Sequence, residues 1–316
     1  MFEQRATPAY FTVATGAALT LGFVLFGGYR FSAPLLAVPP LWGAWLLASG
    51  PLARRIGHPR LGGCCEAVAL IYCQGIVICA ALPMLAAQSG PLADDLLIQA
   101  DRALGFDWLG FVMALRNQPL LLSAMRVLYT SFVWQPALIL IILFARAEDD
   151  RAWRLVNAAA VSLLMAVIVF PLFPAVGGFI HYGITPAAYP HLDAQGPWQF
   201  GPAIEAMKSG RKLITPELMV GYISFPSYHV ASALMLSWAI WPLRRVRWLF
   251  VAINLGMAGS AIVVGAHYLI DLVGGFAIAC AALALTSPHA RSRGSRTLSG
   301  TAVLLRKMIL RPGRAA

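Results

Sequence analysis

Hydrophobic residues occupy this chain in long blocks, and polar residues collect in the connections between them. The blocks cover roughly 9–28, 34–52, 64–87, 119–145, 153–174, 226–243, 248–266 and 267–286. A helix needs about 20 mostly apolar residues to cross the roughly 30 Å hydrocarbon core of a bilayer, and it satisfies its own backbone hydrogen bonds there. The pattern therefore predicts an all-α polytopic membrane helical bundle of about six to eight transmembrane helices. The first block lacks a convincing cleavage site, so it is expected to be a retained helix.

Two connections between blocks are long enough to carry structure of their own. The segment at about 88–118 mixes acidic residues with leucines and aromatics, which predicts amphipathic helices lying at the membrane interface. The segment at about 175–225 is rich in Gly, Pro, Tyr and His, and basic residues stand near its end. Because a loop of that length is usually functional or disordered, this segment is a candidate for a functional loop.

Composition supports the membrane class, and the distribution of charge orients the chain. The sequence is 59% hydrophobic and only 12% charged, too little charge for a soluble surface of this size. Of its 24 Lys and Arg residues, seventeen fall on the side of the predicted spans that carries both termini, and seven fall on the other. The positive-inside rule makes the richer side cytoplasmic, which predicts an inner (plasma) membrane protein with both termini in the cytoplasm. The net charge of +11 is then explained by basic residues that orient the chain and are attracted to anionic lipid headgroups. No nucleic-acid partner is expected.

Two short segments place ionisable groups at the ends of apolar blocks. The first reads Pro-Ser-Tyr-His over Pro226–His229, and the second carries His267 and Asp271. Residues four apart lie on one face of a helix, so Asp271 is expected to hydrogen-bond the imidazole of His267. A helical hairpin that turns at Arg244–Arg247 joins the two segments, and each leg is long enough to cross a bilayer. Both histidines are therefore predicted on the same, extracytoplasmic face.

Two histidines, a carboxylate and a basic loop suit chemistry on a phosphate ester. A neutral His267, held in one tautomer by Asp271, can attack phosphorus and form a phosphohistidine. A protonated His229 can then donate a proton to the departing oxygen, and neither step needs a metal or another cofactor. Basic side chains and the amides at the start of a helix can bind the phosphate oxygens. The predicted phosphate-binding residues are Lys208, Arg211, Lys212 and Ser227.

Each of these interpretations has a structural alternative. Asp271 can instead serve as a polar contact between helices, and a basic loop is often simply solvated. Asp101 and Arg102 are interpreted as a structural ion pair at the interface. Arg126, in the outer half of a predicted span, is interpreted as a residue that snorkels to the lipid headgroups.

At its histidine segments the chain resembles the type 2 phosphatidic acid phosphatase superfamily. The family carries Pro-Ser-x-His and, after a helical hairpin, a His followed four residues later by Asp; Pro226–His229, His267 and Asp271 match in order and spacing. The resemblance covers roughly 90–290 and implies that His267 is the nucleophile, that Asp271 orients it and that His229 is the acid for the leaving group. The implied regions are N-terminal transmembrane helices at 1–88, a catalytic membrane domain at 89–290 and a basic cytoplasmic tail at 291–316.

The chain departs from the superfamily in its basic residues. The usual Lys-x6-Arg-Pro motif is missing from the sequence, since the only Arg-Pro lies at 311–312 without a matching lysine. Ala261 stands where an arginine is usual, and Tyr228 stands where a glycine is usual. This reduced pattern is similar to the inositolphosphotransferase branch, which includes fungal inositol phosphorylceramide synthase. Bacterial members of that branch carry segments like those at 101–108 and 173–175, so the resemblance implies a bacterial member.

Three functions are compatible with these residues. A phosphatase would pass the phosphoryl group to water, and a phosphotransferase would pass it to an alcohol such as inositol or a ceramide hydroxyl. A non-catalytic lipid carrier or flippase could use the same bundle, a hypothesis that the missing basic residues motivate. The expected partner is a phospholipid or isoprenoid phosphate in the bilayer, joined by an alcohol acceptor in the transferase, and the sequence leaves the oligomeric state open.

Overall fold

The computed structural model describes residues 6–192 and 196–287, so the predicted basic tail at 291–316 lies outside the described residues. Within the described ranges the chain is built from α-helices, short 3-10 turns and one pair of two-residue strands. The helices are α1 (Thr7–Gly27), α2 (Ala33–Arg55), α3 (Pro59–Ala87), α4 (Asp94–Ala103), α5 (Trp108–Leu115), α6 (Pro119–Thr130), α7 (Gln135–Ala145), α8 (Asp149–Val169), α9 (Gly178–His181), α10 (Phe200–Lys208), α11 (Tyr228–Ile240), α12 (Arg247–Val264) and α13 (Leu269–Leu285). The strands are β1 (Arg30–Phe31) and β2 (Leu213–Ile214).

The predicted all-α polytopic class is confirmed, because 74% of the structure is helical and several helices can span a membrane. In the described part of the chain, five helices are long and apolar enough: α1, α2, α3, α8 with the turn that follows it, and α12. The pair α6–α7 makes a sixth span if it is counted as one. The connection at 88–118 is helical as predicted, since it forms α4 and α5.

The predicted span at 119–145 is bent. Helix α6 ends at Thr130, a 3-10 turn follows, and α7 begins at Gln135 with its axis 54° from that of α6. Pro136 stands in the first turn of α7. Proline has no backbone N–H to donate to the preceding turn and disfavours helical geometry in the residue before it, which accounts for the break.

The last helices are shorter than their apolar blocks. The blocks at 226–243 and 267–286 yield α11 with 13 residues and α13 with 17 residues. In both cases the first residues of the block stay outside the helix. Those residues belong to the turns that carry Ser227 and His267, as described below.

Helix α8 lies at the centre of the bundle, where it packs against α1, α3, α7, α11 and α13. Two arginines in its first turns hold the ends of neighbouring helices. Arg151 donates to the carbonyl of Trp238 at 2.8 Å, and Arg154 donates to the carbonyl of Leu283 at 2.7 Å. Both carbonyls belong to last turns, where unpaired carbonyls and the helix dipole favour a cation. These contacts fix α11 and α13 against α8.

The N-terminal helices are tied to one another and to the loop that precedes α11. The buried Glu66 of α3 accepts hydrogen bonds from Tyr10 of α1 and from Arg54 of α2, the latter at 2.8 Å. The two strands form a parallel pair that aligns Arg30 with Leu213. The connection between α1 and α2 is therefore joined to the loop that precedes α11.

Candidate active site

His267 lies in the turn between α12 and α13, and the turn is shaped by its neighbours. Ala266 has φ of +56°, in the left-handed region, and Tyr268 occupies the position just before α13. Asp271, in the first turn of α13, accepts a hydrogen bond from the backbone N–H of Tyr268 at 3.0 Å. The expectation that His267 sits on a helix with Asp271 is therefore wrong, since the helix begins after the histidine. The two side chains nonetheless meet, with Nδ1 of His267 3.2 Å from Oδ2 of Asp271.

The contact with Asp271 fixes which nitrogen of His267 is free. A carboxylate can only accept, so Nδ1 carries the proton and Nε2 keeps its lone pair. Both residues are buried, with His267 3% and Asp271 0% exposed. Ser224 also donates to Oδ2 of Asp271 at 2.7 Å. Oδ2 of Asp271 thus has three hydrogen-bond partners, and the unprotonated nitrogen of His267 points away from it.

Ser227 and His229 come from the start of α11. Ser227 is the residue before the helix, yet its side chain makes no capping hydrogen bond, and its Oγ lies 3.3 Å from Nε2 of His267. Its backbone N–H donates to the carbonyl of Asp271 at 2.9 Å, which joins the two segments directly. The ring of His229 lies 6.3 Å from that of His267, centroid to centroid, and stacks on Tyr129 at 4.0 Å. The structure therefore brings His229, His267, Asp271 and Ser227 together.

Two buried carboxylates from α4 hold the turn that carries His267. Asp101 accepts hydrogen bonds from the backbone N–H groups of Leu269 and Ile270 at 2.9 and 2.7 Å, so it caps α13 from another helix. Asp94 accepts from the hydroxyl of Tyr268 at 2.8 Å and from the N–H of Gly177 at 3.0 Å. The predicted Asp101–Arg102 ion pair is thus replaced by bonds from Asp101 to the backbone.

Sequence reasoning missed these carboxylates as parts of the site. A signal was present, because Asp101 falls on the same face of α4 as the buried Leu97 and Ile98. A carboxylate on an apolar stripe needs a partner, and here the partner is a helix start. Burial raises the pKa of the Asp101 carboxyl; the two amides oppose that rise, and the nearby Asp271 adds to it.

Trp108, at the start of α5, makes the third contact to this turn. Its Nε1 donates to the backbone carbonyl of His267 at 2.9 Å, and its ring stacks on Tyr182. Gly177 packs against the same turn with φ of +85°, and a Cβ there would lie 2.8 Å from the Cβ of Ala266. The residues around 94–108 and 177 thus form the supporting layer behind His267.

A cavity of about 820 Å³ opens in front of the two histidines. Its walls come from α3, α6, α7, α8 and α11, from the start of α10 at Phe200, and from the loops around Gly177 and Tyr222. Most lining residues are apolar. The polar ones include Arg126, Tyr129, Ser224, His229 and His267. The site therefore combines a hydrophobic chamber with a small group of converging polar side chains, the usual character of a small-molecule pocket.

The three predicted phosphate-binding cations have other partners. Lys208 donates to the carbonyls of Ser89 and Gly90. Arg211 bonds to Thr215 at 3.0 Å and forms an ion pair with Glu217 at 3.3 Å. The Nζ of Lys212 lies 4.0 Å from the ring centre of Tyr29. The cavity-lining residues of the described chain include Arg126 and none of these three. Their role as phosphate ligands stays a prediction that these contacts do not support.

Fold and site together define a class: a helical membrane protein in which an Asp-held histidine and a second histidine, 6.3 Å apart between ring centroids, line an apolar chamber. A family model for the PAP2 superfamily matches residues 95–285, more than half of the chain. The chain therefore belongs to the PAP2 superfamily, and this membership supports a phosphatase-type phosphoric ester hydrolase. Neither the curated proteins nor the solved structures contain a match to the chain. Among residues 6–192 and 196–287, no three His, Cys, Asp or Glu side chains group in a way that could hold a metal ion.

Proposed function

We propose that this protein is an integral membrane enzyme that cleaves or transfers a lipid-linked phosphate through a phosphohistidine intermediate. One observation carries the proposal: Nδ1 of His267 is bound to Asp271, and the same histidine lines a chamber that also contains His229. An imidazole held in this tautomer presents an unprotonated nitrogen as a nucleophile. The apolar chamber suits a substrate with hydrocarbon chains.

Each side chain has a defined part in the proposed reaction. Nε2 of His267 forms a bond to phosphorus while the bond from phosphorus to the leaving oxygen breaks, and protonated His229 gives its proton to that oxygen. Neutral His229 then takes a proton from water or an alcohol, whose oxygen bonds to phosphorus as the N–P bond breaks. Asp271 stabilises the positive charge that develops on His267. Ser227, 3.3 Å from the attacking nitrogen, is a hydrogen-bond donor for a phosphate oxygen.

The proposed location is the extracytoplasmic face of the inner (plasma) membrane, with both termini in the cytoplasm. The unequal distribution of Lys and Arg supports this orientation. The order of helices is consistent with it, because α11 begins and α12 ends beside the site, while Arg244–Arg247 marks the opposite end of this hairpin.

The acceptor decides between a phosphatase and a phosphotransferase. The similarity to the inositolphosphotransferase branch in the segments at 101–108 and 173–175 supports transfer to an alcohol. Within the 101–108 segment, Asp101 and Trp108 contact the turn that holds His267, which gives that similarity a structural meaning. Hydrolysis with water as acceptor follows the same first step and is the second candidate.

The test uses the purified full chain in lipid nanodiscs with a phospholipid labelled in its phosphate. Turnover is measured with and without inositol and a ceramide as acceptors. Transfer predicts a labelled acceptor product; label released as inorganic phosphate regardless of acceptor would rule out the transferase and leave the phosphatase.

Matched histidine variants test the mechanism in the same assay. His267→Ala should lower turnover at least about a thousandfold, because the nucleophile is gone. His58→Ala is the control, since His58 is exposed and stands before α3, far from the site in the fold. Undiminished turnover by the His267→Ala protein would refute the phosphohistidine mechanism, and absence of turnover by the wild-type protein would favour a carrier.

A further inference from the structure

Arg126 stands beside the candidate site without having been assigned to it by sequence. It lies on α6 and lines the same chamber as His229 and His267. Tyr129, almost one helical turn further on, stacks on the ring of His229 at 4.0 Å between centroids. Thr130, four residues after Arg126, also lines the chamber. One face of α6 thus presents a cation, an aromatic ring and a hydroxyl to the site.

The surroundings of Arg126 make a purely structural role costly. Arg126 is itself exposed, and the adjoining stripe of α6 carries Leu120 and Val127, which are 87% and 66% exposed, so α6 borders hydrocarbon beside the guanidinium. Among the described residues, no carboxylate forms an ion pair with Arg126, and its guanidinium has no hydrogen-bond partner. Charges in spanning segments are expensive, and their presence usually marks a function. A guanidinium that lines a chamber and lacks a protein partner is available for an anionic ligand.

The charge balance of the site points to the same residue. The described polar groups around the two histidines include the carboxylate of Asp271, which repels a phosphate. Lys208, Arg211 and Lys212 are bound to other groups, and the arginine usual after Ser260 is replaced by Ala261. A phosphoryl group that takes on charge during transfer needs a cation close by. Arg126 is the arginine that the described chain places on the chamber wall.

We propose that Arg126 is the phosphate-binding cation of this site, and that the apolar part of the chamber holds the chain of the same lipid. The assignment rests on the proposed function for its substrate class. Arginine suits the role because its planar guanidinium can donate two parallel hydrogen bonds to phosphate oxygens, whereas lysine acts as a single point charge. The lipid chain would extend from Arg126 along the apolar residues of α3 and α7 that line the chamber, such as Ile76 and Pro136.

Binding without turnover separates this assignment from the enzymatic proposal. The full chain carrying His267→Ala is placed in nanodiscs and titrated with inorganic phosphate and, separately, with a short-chain phosphatidate. The same titrations are made after adding Arg126→Ala, Arg126→Lys or Arg102→Ala. Arg102 is the matched control, because it is an exposed arginine on α4 outside the chamber lining.

Arg126→Ala should weaken binding of both ligands roughly 10- to 100-fold, the range expected for losing charge-assisted hydrogen bonds. The affinity of the Arg126→Lys protein should lie between those of the Arg126→Ala protein and the His267→Ala parent. Arg102→Ala should leave the affinity within about twofold of that parent. If Arg126→Ala is poorly folded by size-exclusion chromatography, the comparison of Arg126→Lys with Arg102→Ala decides. Equal affinities in the Arg126 and Arg102 variants, including no measurable binding by either, overturn the assignment. A different outcome is that the wild-type chain shows no turnover while phosphate binding still depends on Arg126. That result would support the assignment of Arg126 and refute the enzymatic function.

Discussion

The indole Nε1 of Trp108 donates a hydrogen bond of 2.9 Å to the backbone carbonyl of His267, although 159 residues separate the two along the chain. The bond is buried, and it fixes the backbone of the residue that we propose as nucleophile. Asp101 and Asp94 contact the same turn from α4. The geometry of the histidine is therefore set by the α4–α5 region as much as by the motif around it.

Replacing Trp108 with phenylalanine tests this support. Trp108→Phe keeps an aromatic ring against Tyr182 but removes the donor to His267. We expect turnover to fall about three- to tenfold, because that factor corresponds to the net free energy of one hydrogen bond, here one that orients the nucleophile. Trp198→Phe is the control, because Trp198 donates to the carbonyl of Ile184, within the loop between α9 and α10. Equal turnover in both variants, measured with labelled phospholipid, would contradict a positioning role for Trp108.

Asp101→Asn should weaken the start of α13. The carboxylate accepts from two backbone N–H groups, whereas an amide offers one acceptor oxygen and no charge to the helix dipole. We expect the free energy of unfolding in mixed micelles to fall by about 1–2 kcal/mol, with a loss of turnover. Asp107→Asn is the matched control, since Asp107 precedes α5 without a side-chain capping bond. A larger effect in the Asp107 variant would show that the cap on α13 is unimportant.

Gly177→Ala should impair the site through a direct clash. The residue has φ of +85°, and a Cβ there would lie 2.8 Å from that of Ala266, next to His267. Gly183→Ala provides the comparison, because Gly183 has φ of +66° but a Cβ there meets open space. In both variants the free energy of unfolding should fall by about 1–2 kcal/mol, because alanine is strained in the left-handed region. Turnover should fall only in the Gly177 variant, and an equal fall in both would mean that strain alone is responsible.

Neutralising the basic residues near the end of the loop before α11 should leave the KM for the substrate nearly unchanged. In the triple variant Lys208→Ala, Arg211→Ala and Lys212→Ala, contacts to Gly90, to Glu217 and to Tyr29 are lost, but no cation is removed from the lining of the chamber. We expect KM for the labelled phospholipid to stay within about threefold of wild type, with a lower unfolding midpoint. A rise of KM by more than about tenfold would restore these residues as phosphate ligands.

The sequence predicted the parts of this protein that depend on local pattern. Apolar blocks predicted the helical bundle, and the spacing of His267 and Asp271 predicted their contact. The bend also had a local signal, Pro136 itself, but the apolar block at 119–145 was long enough to be interpreted as one straight span. The site itself depends on distant contacts: the partners of Asp101 lie 168 and 169 residues away. For Arg126 the sequence indicated a snorkelling residue, and the role that we propose for it depends on its place on the chamber wall.

The N-terminal helices set a limit on how this protein can be shortened. The family model begins at residue 95, yet α3 forms one wall of the chamber, from Ile71 to Leu82. Its Tyr72 bonds to the carbonyl of Val133 at 2.7 Å, across the bend between α6 and α7. The strand pair adds a second link, from Arg30 to the loop before α11. A fragment cut at the family boundary would lose one side of this chamber, so we expect the smallest functional unit to extend well before the residues by which the family is recognised.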